Sequence, residues 1–124
     1  MSINQDILDF YVERLSLLGK VSVKKMFGGA GFYLNGRIFA ITDGDTIYLK
    51  SDDENRGRYE SRKMEQFIPF ADKPGQKMNY YSLSSEDLED NDALRELGRL
   101  AVEASNRAET KKKPRATKRA KTKK

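Results

Sequence analysis

The apolar positions of the first twenty residues follow the period of an amphipathic helix. They recur three or four residues apart, which places them on one helical face. Asn4 precedes them as a residue type that caps helix N-termini, and Gly19 follows as a natural stop. The pattern predicts an N-terminal helix whose apolar face is formed by Ile7, Leu8, Tyr11, Leu15 and Leu18.

The pattern changes to short β-prone runs between Val23 and Lys50. Asn35-Gly36 separates two of these runs, and this dipeptide favours a tight hairpin because both residues tolerate positive φ. Asp43-Gly44-Asp45 marks a second turn. Three consecutive strands in an antiparallel meander are predicted, carrying Phe32 and Leu34, then Ile38 and Phe39, then Ile47 and Leu49.

The middle of the chain predicts one short helix and two further strands. The helix falls within residues 52–62, and the strands are Gln66–Phe70 and Met78–Leu83, joined by a turn at residues 73–76. Pro69 lacks a backbone N–H, so its strand belongs at an edge or an irregularity. The predicted total is therefore about five strands.

A final helix is predicted from Asn91 or Asp92. Its small later residues allow close packing against the sheet or against a second copy of the chain. Self-association through the Leu94–Ala108 segment is accordingly an expectation. The residues with three- and four-residue spacing are Leu94, Leu97, Ala101, Ala104 and Ala108.

The chain splits into an apolar, mildly acidic body and a basic tail. Residues 110–124 contain nine cations and no acid, which leaves 15 basic against 19 acidic residues and about −4 for residues 1–109. A segment with dense like charge and no apolar period is predicted to be disordered. We expect a folded domain over residues 1–108 and a disordered tail over 109–124, with cations at Lys111, Lys112, Lys113, Arg115, Lys118, Arg119, Lys121, Lys123 and Lys124.

The tail indicates contact with nucleic acid. Its cations can displace counterions from a phosphate backbone, which gives salt-sensitive affinity without sequence preference. It has no aromatic residue on which a base could stack. A solubilising extension is the alternative interpretation.

The glycine cluster Gly28–Gly31 does not predict a phosphate-binding loop. Neither spacing pattern of such loops is present, since Arg37-Ile38 follows Gly36 where a loop of the Walker type needs Lys and then Ser or Thr. A bulge or a close approach between two strands is the preferred interpretation.

Two groups of acids are assigned to structural roles. Those at residues 43–54 lack the order of a calcium-binding loop, so turns and helix caps are expected. The acidic run over residues 86–92 suits the positive end of the last helix. A second interpretation, in which the basic tail folds back onto this run, stays open.

Cysteine and histidine are both missing from the sequence, which excludes disulfides and thiolate zinc sites. No spacing of carboxylates, Lys or Tyr resembles a catalytic arrangement, so no enzyme, metal or cofactor is predicted. The N-terminus has no signal-peptide pattern, and no apolar run reaches the length of a membrane span. A cytoplasmic protein is expected.

The segment KKMFGGAGFYLNGRIFAI, from Lys24 to Ile41, resembles the N-terminal domain of the TfoX/Sxy family. The resemblance continues through IYLKSDDENRGRYE, MEQFIPF, NYYSL and LEDNDALRELGRLAVEAS, and it covers residues 5–105. Met26-Phe27-Gly28-Gly29, followed by Asn35-Gly36 and Phe39, is its most specific part.

The resemblance implies an α+β fold with a curved antiparallel sheet, flanked here by the N- and C-terminal helices in two layers. It implies regulation, because family members include competence regulators that act with an activator at promoters. Those regulators carry a second, helical domain, which is not expected in this sequence. The resemblance supplies no catalytic or cofactor residues.

The expected function is that of a non-enzymatic regulatory or nucleoid-associated protein. The tail would contact nucleic-acid phosphates and the body a protein partner. The alternative is a protein-interaction adaptor whose tail is only solubilising. A secondary basic surface near the first hairpin is expected from Lys20, Lys24, Lys25 and Arg37.

Overall fold

The structure, a computed structural model, describes residues 4–26, 29–68 and 78–121, and it describes side chains up to Ala108 apart from that of Met26. Its elements, in chain order, are α1 (Gln5–Leu15), a 3₁₀ turn (Ser16–Leu18), β1 (Val21–Met26), β2 (Gly29–Leu34), β3 (Arg37–Asp43), β4 (Thr46–Lys50), α2 (Arg56–Ser61), β5 (Tyr80–Ser82), α3 (Ser85–Glu89) and α4 (Asn91–Lys121).

The N-terminal helix forms as the sequence predicts. The Asn4 side chain accepts a hydrogen bond from the Asp6 backbone N–H at 2.7 Å and so satisfies a donor that the first turn leaves unpaired. The 3₁₀ turn carries the chain on to Gly19, where the helical conformation ends. Leu8, Tyr11 and Leu15 are buried along one face.

The five strands form one antiparallel sheet in the order β1-β2-β3-β4-β5. The β2–β3 hairpin turns at Asn35-Gly36, whose φ angles of 56° and 77° confirm the predicted hairpin. The turn at Asp43–Asp45 is also confirmed. The α+β sheet of five strands, with helices at both ends of the chain, is therefore as expected.

The sequence pattern misses the first strand of the sheet, because no separate strand is predicted for β1. Of the predicted strand Gln66–Phe70, the structure describes residues 66–68, where Gln66 forms a bridge with Tyr81 and the Phe67 N–H donates to the carbonyl oxygen of Tyr80. Pro69, Phe70 and the predicted turn at 73–76 lie outside the described residues, as does Phe27. The predicted strand Met78–Leu83 is present as the shorter β5.

Close backbone approach explains one of the clustered glycines. A Cβ on Gly29 would lie 2.1 Å from the carbonyl oxygen of Thr42 on β3, so only glycine fits there. The register of β2 and β3 shifts between Phe32 and Tyr33. The expected irregularity is present, but it lies beyond the glycine cluster.

The core lies between one face of the sheet and the helices α1 and α4. Phe32, Phe39 and Leu49 from the sheet are fully buried, as are Leu94 and Leu97 from α4. Ala101 and Ala104 are also buried, so the small residues of α4 pack within the chain, whereas Ala108 is exposed. Self-association through Leu94–Ala108 remains an expectation to be tested by sedimentation.

The acidic run divides between two helix starts. Ser84 caps α3, which carries Glu86 and Asp87 in its first turn. Asp90 then accepts hydrogen bonds from the N–H groups of Asp92 and Ala93 at the start of α4. The expected match of negative charge with helix N-termini is confirmed, although the sequence predicts one helix here and there are two.

Helix α4 crosses the predicted domain boundary between residues 108 and 109. Its backbone extends to Lys121 and includes Pro114, whose ring removes one helical hydrogen bond. Among the side chains that the structure describes, which end at Ala108, the last buried one is that of Ser105. Disorder of residues 109–124 stays a prediction.

Candidate nucleic-acid interface

The nine tail cations begin one turn of α4 beyond its last described side chain, Ala108. Those from Lys111 to Lys121 lie on the backbone of α4, whereas Lys123 and Lys124 lie outside the described residues. Side chains along this stretch are likewise outside the described part of the protein. Their role in binding phosphates is therefore argued from charge and sequence.

The four cations of the predicted secondary surface do not form a single patch. Lys20 is exposed just before β1, and Lys24 and Lys25 are exposed on β1 itself. Successive strand residues point to opposite faces of a sheet, so Lys24 and Lys25 face different ways. They pair with Gly31 and Ala30, well along β2 from the hairpin turn.

Arg37 instead connects the hairpin to the last helix. It begins β3, and its guanidinium Nη1 donates a hydrogen bond to the Asn106 side-chain oxygen at 2.9 Å. That oxygen belongs to a neutral amide, so this contact does not cancel the arginine's charge. The structure thus places Arg37 beside Asn106, in the part of α4 that directly precedes the tail.

Aromatic and basic side chains lie on the sheet face opposite the core. Phe32 and Leu49 each pair with Ala40 and share the core face, so their neighbours Tyr33 and Lys50 lie on the outer face. Lys50 pairs with Tyr80 on β5, and its Nζ lies 5.4 Å from the centre of that ring. The two side chains thus make a cation–π contact at the end of β4.

Two adjoining clefts open at this end of the sheet, where β2 and β4 finish and β3 begins. They share Lys50 and Ala108, and we refer to them together as the end cleft. The first has a volume of about 240 Å³ and is lined by Tyr33, Gly36, Arg37, Ile38, Lys50, Ser105 and Ala108. The second, of about 180 Å³, is lined by Lys50, Ser51, Asp52, Asn79, Ala104, Arg107 and Ala108.

Asp52 and Arg107 form a two-bonded ion pair in the wall of the end cleft. The guanidinium Nε and Nη2 of Arg107 lie 2.6 and 2.9 Å from the two carboxylate oxygens. Hydrogen bonds from Arg107 lower the pKa of Asp52, and the N–H groups of Asn55 and Glu54 add to the effect. The expected turn role of this acid is confirmed by those two backbone bonds.

The side chain of Asn55 stabilises the backbone at Lys50 through a hydrogen bond. Its side chain is 2% exposed and donates to the carbonyl oxygens of Lys50 and Leu100, at 3.2 and 3.0 Å. Its own side-chain oxygen accepts from the Asp52 N–H at 2.8 Å. One amide therefore joins the end of β4, the turn before α2 and the middle of α4.

A separate cleft of about 360 Å³ lies between α1 and β4. It is lined by Ile7, Phe10, Tyr11, Asp45, Thr46, Ile47, Leu83, Ser85 and Leu88. Among these described residues the charged one is the acid Asp45, and most of the others are apolar. This chemistry suits an apolar partner group rather than a phosphate.

Sequence reasoning missed Lys50 and Tyr33 as candidate site residues. Both alternate with core residues along their strands, and this signal places them on the outer face. Their approach to α4 depends on how the helix crosses the sheet, which local patterning does not determine.

Among the described residues, no helix combines the length and apolar character needed to cross a membrane.

The comparisons with known proteins agree with this fold. The family model of the TfoX N-terminal domain matches residues 13–105, which is most of the chain and nearly all of its core. This is not a known enzyme family, and membership suggests a regulatory, competence-related domain. The search of curated proteins gave no match. The chain belongs to the TfoX N-terminal domain family.

Proposed function

We propose that this protein is a non-enzymatic regulatory or nucleoid-associated protein that its basic tail tethers to nucleic acid. The observation that carries the proposal is the separation of charge, with nine cations in residues 110–124 beside a body of about −4. Such a tail binds phosphates by releasing their counterions and needs no base contacts. The acidic body would be repelled by a phosphate backbone, so the tail supplies the attraction.

The folded body is proposed to contact a protein partner. Phe10 is 38% exposed on α1 and lines the apolar cleft beside β4. An exposed aromatic side chain beside an apolar cleft is a common feature of protein interfaces. Family membership, which suggests regulation, supports the same assignment.

A full-length variant with uncharged glutamines in place of the nine tail cations tests the tether. We expect the unmodified chain to bind a labelled duplex at about 100 mM salt and the variant to lose that binding, because counterion release is the driving force. A chain ending at Glu109 should behave like the glutamine variant. Thermal unfolding serves as the control, since the core residues that the structure describes all precede the tail.

The alternative function, a protein-interaction adaptor with a solubilising tail, predicts a different result. In that case the unmodified chain fails to bind nucleic acid and the glutamine variant loses solubility only. Equal binding by the unmodified chain and the variant would also contradict the tether and would assign nucleic-acid contact to the body.

A further inference from the structure

The cleft between α1 and β4, which we refer to as the α1 cleft, has the size and lining of a binding site. Its volume of about 360 Å³ lies within the roughly 300–1,000 Å³ that is typical of binding pockets. Its base is formed by the buried side chains of Ile47, Leu83 and Leu88, and its wall includes the exposed ring of Phe10. The described part of the chain thus leaves this apolar surface uncovered.

Polar contacts between elements hold the walls of the α1 cleft in place. The hydroxyl of Tyr11 on α1 donates a hydrogen bond to the carbonyl oxygen of Asp45, in the turn before β4. The Arg14 guanidinium donates to the Leu88 carbonyl oxygen on α3 and to the Asn91 side-chain oxygen, at 2.9 and 2.6 Å. These bonds join α1 to the sheet, to α3 and to α4, so a partner meets a cleft that is already formed.

Acids without a charged partner border the α1 cleft. Asp45 lines it, Asp6 lies one turn before Phe10 on α1, and Glu86 lies on α3, and all three acids are exposed. Among the described residues, none of these carboxylates forms an ion pair, whereas several acids elsewhere on the body pair with arginines. Arg14 also borders the cleft, but about 12 Å further along α1 than Asp6. Cations of a partner are therefore favoured at the acids.

The strand in the wall of the α1 cleft favours a helical partner segment over an extended one. Strand β4 pairs with β3 on one side and with β5 on the other. Its backbone hydrogen-bonding groups are therefore used within the sheet, and an extended segment could not add to the sheet there. A helix satisfies its own backbone groups and presents apolar side chains on one face.

The basic tail of the chain itself does not suit the α1 cleft. Residues 110–124 supply cations, but their apolar residues are limited to Pro114, Ala116 and Ala120. An apolar cleft beside an exposed phenylalanine ring is filled by large apolar side chains. Those side chains have to come from another protein.

We propose that the α1 cleft binds a basic amphipathic helix of a partner protein. The apolar face of that helix covers Phe10 and fills the cleft, and its cations face Asp6, Asp45 and Glu86. The proposal rests on the partner contact proposed above and adds the chemistry of the partner segment. An acidic helix with the same apolar face is rejected, because its charges oppose those of the three acids.

Three labelled peptides of about 18 residues, long enough to form a helix, provide the probes. The basic peptide has leucines at three- and four-residue spacing and lysines elsewhere. The acidic peptide has glutamates in place of the lysines, and the polar peptide has serines in place of the leucines. With the full chain at about 100 mM salt, which screens the tail beyond roughly 10 Å, the basic peptide should bind at least about tenfold more tightly than either of the others.

The apolar contact is tested by Phe10→Gln, which removes the exposed ring and keeps a residue that suits a helix. The matched control is Val23→Thr on β1, because Val23 is exposed to a similar extent and does not line the α1 cleft. We expect Phe10→Gln to weaken binding of the basic peptide about tenfold and Val23→Thr to leave it unchanged. Thermal unfolding of each variant checks that the fold is retained.

The charges are tested by the double variant Asp6→Asn/Glu86→Gln. It should weaken binding of the basic peptide about threefold and reduce its salt dependence, since charges at the rim of an interface act mainly in this way. The control pair Asp53→Asn/Glu103→Gln removes the same two residue types from exposed positions that do not line the cleft, and it should have no effect.

The outcomes separate this proposal from the broader one. Preference for the basic peptide, with loss of binding in Phe10→Gln, supports the docking of a basic helix. Equal binding of the basic and acidic peptides, both weakened by Phe10→Gln, overturns the basic partner and leaves the partner contact standing. Binding of no peptide, or equal weakening by Phe10→Gln and Val23→Thr, overturns the α1 cleft as the docking site, while the tether is measured separately with duplex. Self-association of the chain that Phe10→Gln abolishes in sedimentation would make a second copy the occupant and would also overturn the proposal.

Discussion

Gly29 shows how one backbone contact determines a residue. The carbonyl oxygen of Thr42 occupies the space that a side chain at position 29 would need. Backbone atoms of a paired strand cannot move aside as a flexible side chain can. Gly57 makes the opposite case, because a Cβ there would meet nothing within 4 Å.

The substitution Gly29→Ala is therefore expected to lower the free energy of unfolding by about 2 kcal/mol or more, through overpacking against β3. Gly57→Ala should raise it by about 0.5–1 kcal/mol, since alanine is the better helix former in α2. Urea unfolding of both variants measures the difference. Equal effects at the two sites would contradict the assigned contact.

Local sequence predicts residues whose role is local. Asn4 as a cap and Asn35-Gly36 as a hairpin turn follow from the chain within a few positions. The role of Gly29 follows only once β3 is placed beside β2. Tyr33 and Lys50 likewise gain their shared cleft from the tertiary arrangement.

At the scale of elements, a few polar side chains fix how α2, β4 and α4 meet. Asn55 makes three hydrogen bonds to backbone groups from different parts of the chain, and it is almost completely buried. Nearby, Arg107 ties α4 to the turn that contains Asp52. These contacts hold Lys50 at the mouth of the end cleft.

Asn55→Ala should lower the free energy of unfolding by about 2–3 kcal/mol, because it leaves backbone groups of Asp52, Lys50 and Leu100 without their side-chain partner. Asn79→Ala, at an exposed position near the same cleft, should change it by less than about 0.5 kcal/mol. Chemical unfolding of both variants provides the comparison. A similar small effect at Asn55 would mean that the buried amide does not join these elements.

The Asp52–Arg107 pair predicts a pH-dependent part of the stability. The pKa of Asp52 is lowered on folding, first by hydrogen bonds from Arg107, so its stabilisation is present above the ordinary carboxyl pKa of about 4. That stabilisation is lost as pH falls through the lowered value.

Asp52→Asn and Arg107→Gln should each lower the unfolding free energy at pH 7 by about 1 kcal/mol, and the deficit should shrink as the pH falls toward 2. Unfolding curves at several pH values measure it. A deficit that stays constant over this range, or that grows in acid, would rule out the ion pair as its cause.

Elements with strong local signals were predictable, and those that depend on neighbours were not. The long periodic helices α1 and α4 begin as the sequence indicates. Strand β1 was missed because Ser22, Lys24 and Lys25 interrupt its apolar residues, and α3 because it has only five residues. Of the predicted strand Gln66–Phe70, the described residues 66–68 pair with the β5 region through the bridge between Gln66 and Tyr81.

At the scale of the whole molecule, the acidic body and the basic tail occupy separate parts of the sequence. The fold places the start of the tail beside the end cleft. Among the described side chains the last buried one is that of Ser105, and the tail begins on α4 just beyond Ala108, which lines the end cleft. The tail cations could be identified from the sequence because charge is additive and local. The end cleft could not be predicted from the sequence, because it forms only where α4 crosses the sheet.

The salt dependence of duplex binding by the full chain tests the tether most directly. Each phosphate neutralised contributes about −0.9 to the slope of log K against log salt concentration, so contacts by five to nine tail cations predict a slope between about −4.5 and −8. The glutamine-tail variant is the control. A slope near zero, or one that the glutamine variant shares, would contradict the tether.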